Sequence, residues 1–430
     1  MPAWFKRTSA TVRLKPDTTY NGLLLFALAA CARLVYLFQF RPSIDSAYWA
    51  LSGHLVRTGR MTLDGAAVTD YEPVYLMFLA VLRTLVGDRV ILVQVLQIGV
   101  ASLGAPFLYR LSLALAGSTR AATIAGVLFA LHPLLIRQAS AASDLSLVTT
   151  LLVVFASAFV SMRSGAGAAV AGFWLGLTVL TRSMTLPVLA GGVAILIAGR
   201  KMVLVVPFGA AAALLIVPYV ARNHLVSGSW WPTRSGMALY IGNSPYTATL
   251  LPGEDLDVLQ EVAVAVVARA RPDLSPASAD YPAAFDAALT RLAVDHMMER
   301  PFVTLGRKLM HVGYLFSPML VPSRIATPDT TVRIGEDGQA VVERSVPRPR
   351  LETMAYGMAA TFVLLTAAAG VYLRRRDLGH DAILWIVAAV FIVVNAMYVP
   401  ATRYTAPMLF VLLFYSGVAL ARFVDVRADA

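Results

Sequence analysis

One cysteine, Cys31, occurs in 430 residues, so no intrachain disulfide and no cysteine metal cluster can form. Charge is scarce as well, with Asp, Glu, Lys and Arg at 14% of the chain. The sequence has no GxxxxGK phosphate loop, no GxGxxG turn after a strand and no HExxH pair, and its six histidines never approach metal-ligand spacing. ATP-driven transport by this chain alone, a soluble nucleotide-binding fold and a histidine-held metal are therefore not expected. No repeat of fixed period is visible, and no low-complexity segment is long enough to be a disordered tail.

Apolar residues, by contrast, make up 58% of the chain, above the roughly 45–50% of soluble proteins. Runs of about 20 apolar residues recur from Tyr20 to Phe423 with short polar breaks. The expected fold class is an all-α integral membrane protein, a polytopic bundle of about 10–12 transmembrane helices with extracytoplasmic interfacial helices and loops. A barrel would show shorter stretches of alternating polarity. The net charge of +11 does not point to nucleic acid, because the basic residues are scattered at span ends and read as a topological signal.

Lys6, Arg7, Arg13 and Lys15 place the N-terminus in the cytoplasm. Gly22 to Phe40 is long for a signal-peptide core and lacks a convincing small-residue cleavage site, so it reads as a retained first helix. Residues 41–89 then form a first outer loop. Pro73 to Val86 is apolar but reaches only about 21 Å as a helix against a core of about 30 Å, and reads as interfacial. Further spans are expected at about 90–115, 120–136, 143–161, 166–181, 184–199 and 202–220, and at about 353–373, 381–399 and 404–422. This count puts Arg110, Arg120, Arg163, Arg200, Lys201 and Arg374–Arg376 inside and leaves 221–351 outside. Three parts follow: a core at 1–220, an outer region at 221–351 and C-terminal helices at 352–430. Within the outer region Asp255–Arg300 reads as helical and Thr327–Arg350 as polar and broken. Lys308–Leu320 is apolar but short, hence interfacial.

On this topology the outer mouth gathers Asp45, Tyr48, Glu72, Asp144, Arg182, Arg222 and the Arg403-Tyr404 pair. An acid beside several arginines suits removal of a proton from a hydroxyl while a phosphate leaves. Asp45 follows the first span by a few residues, so a rigid element holds it near the surface. A cap on a helix starting at Ser46 explains it equally well. Asp144, at the lip of a span, is either functional or a second N-cap. Arg182 between two apolar runs either snorkels or holds a phosphate, and Arg33 in the first span has no functional reading. Trp230-Trp231 could stack on a sugar, although interfacial tryptophan is the commoner explanation.

The order RPSIDSAYWALSGHLVRTG, YEPVYLMFLAVLRTLVGD, ALHPLLIRQASAASDLSLVTTLLV, ARNHLVSGSWWPTRSGMALYIGNSPYTA and TRYTAPMLFVLLF resembles the GT-C membrane glycosyltransferases. Within them it looks most like the dolichyl-phosphate-mannose-protein mannosyltransferase-like group, which includes the aminoarabinose transferases. The resemblance covers nearly the whole chain by order and hydropathy, on loose individual motifs. It implies a polyprenyl-phosphate sugar donor, transfer to a hydroxyl on the extracytoplasmic face of the plasma membrane, and Asp45 as catalytic base. Asp144 then matches an acidic position at the start of a later span, Arg403-Tyr404 the Arg-Tyr near the last helix, and Asn223–Asn243 a loop after a span. Many members carry an Asp-Glu pair where this chain has Asp45-Ser46, and a basic residue before the corner where it has Glu72-Pro73.

The resulting expectation is an inverting transferase with Asp45 as base and Tyr48, Glu72, Asp144, Arg182, Arg222, Asn243, Arg403 and Tyr404 around the substrates. The acceptor is a lipid, an envelope glycan or a protein. No cofactor is called for, since arginine can neutralise one phosphate; a diphosphate donor would favour a divalent cation. The alternatives are a lipid-linked sugar transporter or flippase without its own ATPase, and a non-enzymatic scaffold.

Overall fold

The computed structural model describes residues 16–42, 44, 46–63, 66–230, 232, 234–275, 278, 281–335 and 337–428. Two helices, α1 (Pro16–Phe40) and α2 (Ser46–Thr58), lead through an antiparallel pairing of Thr62–Leu63 with Ala66–Ala67 to α3 (Pro73–Val86). The bundle continues through α4 (Val90–Ser102), α5 (Gly104–Ala116), α6 (Thr119–Leu131), α7 (Pro133–Ser140), α8 (Asp144–Ser161), α9 (Gly165–Thr181), α10 (Leu186–Ala198) and α11 (Met202–Ser227). Beyond these come α12 (Ser235–Asn243), α13 (Thr247–Leu250), α14 (Leu256–Ala270), α15 (Tyr281–Glu299) and α16 (Pro301–Leu315), then two short antiparallel strand pairs between 324 and 347. The chain closes with α17 (Arg350–Leu373), α18 (Ala382–Met397) and α19 (Leu409–Ala428).

Among the described residues six helices are long and apolar enough to cross a membrane, and α6 with α7 makes a seventh if that bent pair is one span. Shorter apolar helices at Gly165–Thr181, Ser183–Ala198 and Ala382–Met397 coincide with the remaining expected spans. The largest apolar core joins α1, α5, α6, α8 and α9 to α17, α18 and α19. Local signals set many of the ends. Ser118, Ser143 and Ser164 cap α6, α8 and α9 with their hydroxyls. Pro73, Pro133 and Pro301 open α3, α7 and α16, where a missing N–H costs nothing.

Where 120–136 was expected to run straight, the chain bends by 51° at His132-Pro133. Pro133 has no N–H to give the preceding turn, and the Leu134 N–H turns to His132 Nδ1 at 3.3 Å. That deprives the Ala130 carbonyl of its helical donor. Arg33, 1% exposed, supplies the replacement, with Nη1 3.2 Å from Ala130 O and 3.0 Å from Ala29 O. A cation at the C-terminal end of α6 also meets the negative end of its dipole. Arg33 is therefore a cap on a broken membrane helix, a role with no local pattern in the sequence.

A second arginine fixes α2 on α3. Arg83 donates to Asp88 at 2.8 Å, to Ser52 Oγ at 3.0 Å and to the Trp49 carbonyl, with its guanidinium 3.9 Å from the Trp49 ring. Gly53 makes room for it, since a Cβ there would sit 2.7 Å from Arg83 Nη2. α3 is thus held by charge as well as by its apolar face, and its bounds match the interfacial helix expected from length.

Replacing Arg33 by Met keeps the bulk and removes both hydrogen bonds. A loss of about 1.5–3 kcal/mol is expected, the range for hydrogen bonds from a charged donor, measured as thermal unfolding in detergent against a Leu34→Ala control.

Candidate active site

Four stretches far apart in sequence meet the start of α8 at one end of the bundle. The first is the junction between α9 and α10. Arg182 follows α9 in extended backbone and Ser183–Thr185 make a 3-10 turn. Arg182 Nη1 lies 2.6 Å from Asp144 Oδ2, both side chains mostly buried. Its guanidinium carbon stands 4.8 Å from the Tyr404 ring. Burial works against the Arg182 charge, but the Asp144 carboxylate, with Tyr404 and Glu72, outweighs it and holds the guanidinium above its ordinary range.

Asp144 is the first residue of α8, and the cap is Ser143, whose hydroxyl accepts the Leu145 N–H. The cap alternative for Asp144 is thereby corrected: its side chain faces Arg182. The turn that delivers it is tightly held. Ala142 has a left-handed backbone, φ 50°, sparsely populated for alanine. The Tyr75 hydroxyl donates to its carbonyl, Gln97 Nε2 to Ser146 Oγ at 2.8 Å, and Gln94 Nε2 to Ser140 O at 2.9 Å.

Glu72 comes from the loop before α3. Its Oε1 accepts from both the N–H and the hydroxyl of Ser183, at 3.0 and 2.8 Å. One carboxylate oxygen thus latches the outer loop to the turn that carries Arg182. Tyr48 of α2 is buried edge-on against Tyr71 and Tyr75, centroids 5.0 and 4.8 Å away. Burial, reinforced by the Asp144 and Glu72 carboxylates, pushes its hydroxyl well above the usual phenol range. Tyr48 is a neutral hydroxyl at working pH.

The third stretch is the end of α11 and the segment after it. Arg222 is committed to the outer loop: Nη1 donates to Val68 O at 2.7 Å and Nη2 to Met61 O at 3.3 Å. Tyr219 adds a bond to Tyr71 O at 2.9 Å. His224 stacks on Trp230 at 3.9 Å. Arg234, in the segment between Trp230 and α12, places its guanidinium 5.0 Å from the Tyr71 ring. Burial opposes its charge, but Tyr71, Tyr404 and Tyr48 together keep it raised. Sequence reasoning did not single it out.

The fourth stretch is the Thr402–Met408 3-10 turn that leads into α19. Arg403 lies with its guanidinium 5.3 Å from the Tyr404 ring. Among the described residues no carboxylate is within ion-pair distance of Arg234 or Arg403. Asp70 acts on the first and Asp255 and Asp257 on the second only through space. Arg403 shares a side-chain hydrogen bond with Tyr404, and neither it nor Arg234 has a carboxylate partner among the described residues, whereas Arg182 is paired with Asp144 and Arg222 is bonded to loop carbonyls. An apolar cleft lined by Leu315, Phe316, Tyr356, Ala360 and Leu409 reaches the same turn from the bundle side.

Asn243 is fully buried on a different axis, donating to Leu239 O and Met397 O at 2.7 and 2.8 Å and accepting from Lys308. It ties α12 to the end of α18, just ahead of Arg403. Arg137 pairs with Glu352 at 2.9 Å. Asp45 lies outside the described residues, and so does Trp231. No group of three or more His, Cys, Asp or Glu side chains able to hold a metal ion occurs among the described residues.

No family model matches the chain, and no curated protein does. Solved structures do match it. Over 99% of its length the chain is similar to the Archaeoglobus fulgidus oligosaccharyltransferase in the apo form, at 16% identity and a TM-score of 0.55. Over 98% it is similar to the same enzyme tethered to an acceptor peptide containing the NVT sequon, at 15% and 0.53. It spans about half of those chains, 52% and 50%. With ArnT from Cupriavidus metallidurans in the apo state the TM-score is 0.42, at 14% identity over 94% of this chain and 78% of that one. At such identities the likeness establishes the fold, and it is the GT-C fold that the sequence resembles.

Asp70 gives the cluster a measurable pH signature. Burial raises its carboxyl pKa, partly offset by a bond from its own backbone and by Arg234. Its contribution to stability is full below the ordinary carboxylate value of about 3.9 and is lost as pH rises through the higher folded value. Asp70→Asn is expected to flatten that part of the stability profile and to raise the melting temperature at neutral pH.

Proposed function

We propose that this chain is an inverting GT-C glycosyltransferase that moves a sugar from a polyprenyl-phosphate carrier to a hydroxyl acceptor. One observation carries the reading: Arg234 on the Tyr71 ring and Arg403 on Tyr404, neither within ion-pair distance of a carboxylate among the described residues, stand at the bundle end where Asp144 and Glu72 already have partners. Guanidiniums in a low-dielectric cleft are matched to phosphate oxygens.

The chemistry balances with these groups. The acceptor oxygen attacks the anomeric carbon from the face opposite the phosphate, and Asp45 takes its proton. The bond from that carbon to the phosphate oxygen breaks, and its electron pair leaves with the phosphate, which passes from one negative charge to two. Arg234 and Arg403 meet the charge that develops. Arg182 is a positioning residue, because Asp144 holds it, and Arg222 keeps the outer loop in place. A divalent cation is not obligatory on this reading, since two guanidiniums match a dianionic phosphate.

The site end faces away from the cytoplasm of the plasma membrane. Arg163, Arg200, Lys201 and Arg374–Arg376 lie in the connections at the other ends of the same helices, in agreement with the positive-inside rule. The region from 221 to 351 then stands over the site and selects the acceptor.

The test is transfer of labelled sugar from a panel of polyprenyl-phosphate sugars in proteoliposomes. Wild type is expected to transfer with excess EDTA present. Asp45→Asn is expected to lose about 10²–10⁴-fold in rate, the range for a general base, while still binding donor. Uncleaved sugar-lipid crossing the bilayer would instead identify a transporter, and full activity in Asp45→Asn would remove that residue from the chemistry.

A further inference from the structure

The helix α16 is amphipathic the wrong way round for water. Arg307 is 8% exposed and His311 is fully buried, while Phe302 is 87%, Leu309 68% and Leu305 60% exposed. Val303 and Met310 lie on the same bare side, and no charged residue does. A helix on an aqueous surface turns its cations outward and its apolar stripe inward; an uninterrupted apolar face of this kind marks contact with another apolar phase.

We propose that the outward face of α16 is embedded in the hydrocarbon of the outer leaflet, with lipid acyl chains as its partner. Three observations select lipid over a protein. The three inward side chains each bond within the chain: Arg307 donates to Ser244 O at 3.0 Å, Lys308 to Met397 O at 3.1 Å and to Asn243 Oδ1, and His311 Nδ1 is 3.0 Å from Ala396 O. These bonds dock α16 on the last turn of α18, one of the apolar helices read as a span, so the level of the bilayer boundary is given by α18 itself. Neighbouring spans also leave apolar side chains bare, with Leu351, Met354 and Met358 exposed on α17 and Val393 on α18. At 15 residues, about 22 Å, α16 is too short to cross a core of about 30 Å and lies within one leaflet.

Embedding has a structural consequence. α16 staples Gly242–Ser244 of the outer region to Ala396 and Met397, directly ahead of the segment that carries Arg403 and Tyr404. The fit is close: a Cβ on Gly242 would collide with the Tyr398 carbonyl. A helix seated in lipid thus fixes the depth of that segment. Its importance for sugar transfer rests on the proposed function; the embedding itself does not.

Spin labels read the embedding alone. In a Cys31→Ser background, Phe302→Cys, Leu305→Cys and Leu309→Cys are labelled separately in the full-length protein in phosphatidylcholine–phosphatidylglycerol vesicles, with Arg291→Cys on α15 as the water-exposed reference. The three α16 labels are expected to collide with oxygen several-fold more, relative to a soluble nickel chelate, than the reference does. Nickel access equal to the reference would overturn the proposal. Shielding from both reagents would also overturn it, and would show a protein contact; spin–spin broadening would then identify a second copy.

Discussion

The ion pair between Arg182 and Asp144 is the interaction on which the rest of the site depends. It joins the end of α9 to the start of α8, and through the Tyr404 ring it reaches the turn before α19. Ser183, the next residue, receives the Glu72 carboxylate and so brings in the outer loop. Two charges taken out of water attract strongly, and removing either partner of a buried pair costs about 3–5 kcal/mol. Here the two side chains keep 20% and 17% exposure, so screening lowers that figure. What matters more is placement, because four segments are tied at one point.

Basic residues divide into two kinds in this protein. Arg33 caps the broken end of α6, Arg83 clamps α2 to α3, Arg222 holds the outer loop by its carbonyls, and Lys308 staples α12 to α18. Each is held by partners within the chain, as befits a cation near hydrocarbon. Arg234 and Arg403 are left with rings beside them and no carboxylate within reach among the described residues. A cation kept in a cleft without a carboxylate partner is costly, and such a cost is ordinarily tied to an anionic ligand.

Much of this was legible in the sequence, for physical reasons that differ from residue to residue. Apolar run length marked the spans, and the bounds of the short helix from Pro73 to Val86 were legible in the same way. The convergence of Asp144, Arg182, Glu72 and Tyr404 followed from parity of the spans and the placement of basic residues. Long-range partnerships were not legible. Arg33 answers a carbonyl freed 97 positions away, and the break that frees it depends on Pro133 acting inside an otherwise continuous run. For the same reason the helix expected from Lys308 begins at Pro301, with its cations turned inward. Arg234 sits in a polar stretch with no periodicity to set it apart. Its closeness to Tyr71 depends on how the end of α11 packs against the outer loop.

The central claim is that Arg234 and Arg403 hold a phosphate. It is tested most directly by titrating an unglycosylated polyprenyl phosphate into the wild-type protein and the Arg234→Gln, Arg403→Gln and double variants in nanodiscs, with Arg222→Gln as the structural comparison. Affinity is expected to fall in each single variant and further in the double, and to fall less with added salt once the charges are gone. Equal affinity for wild type and the double variant would contradict it.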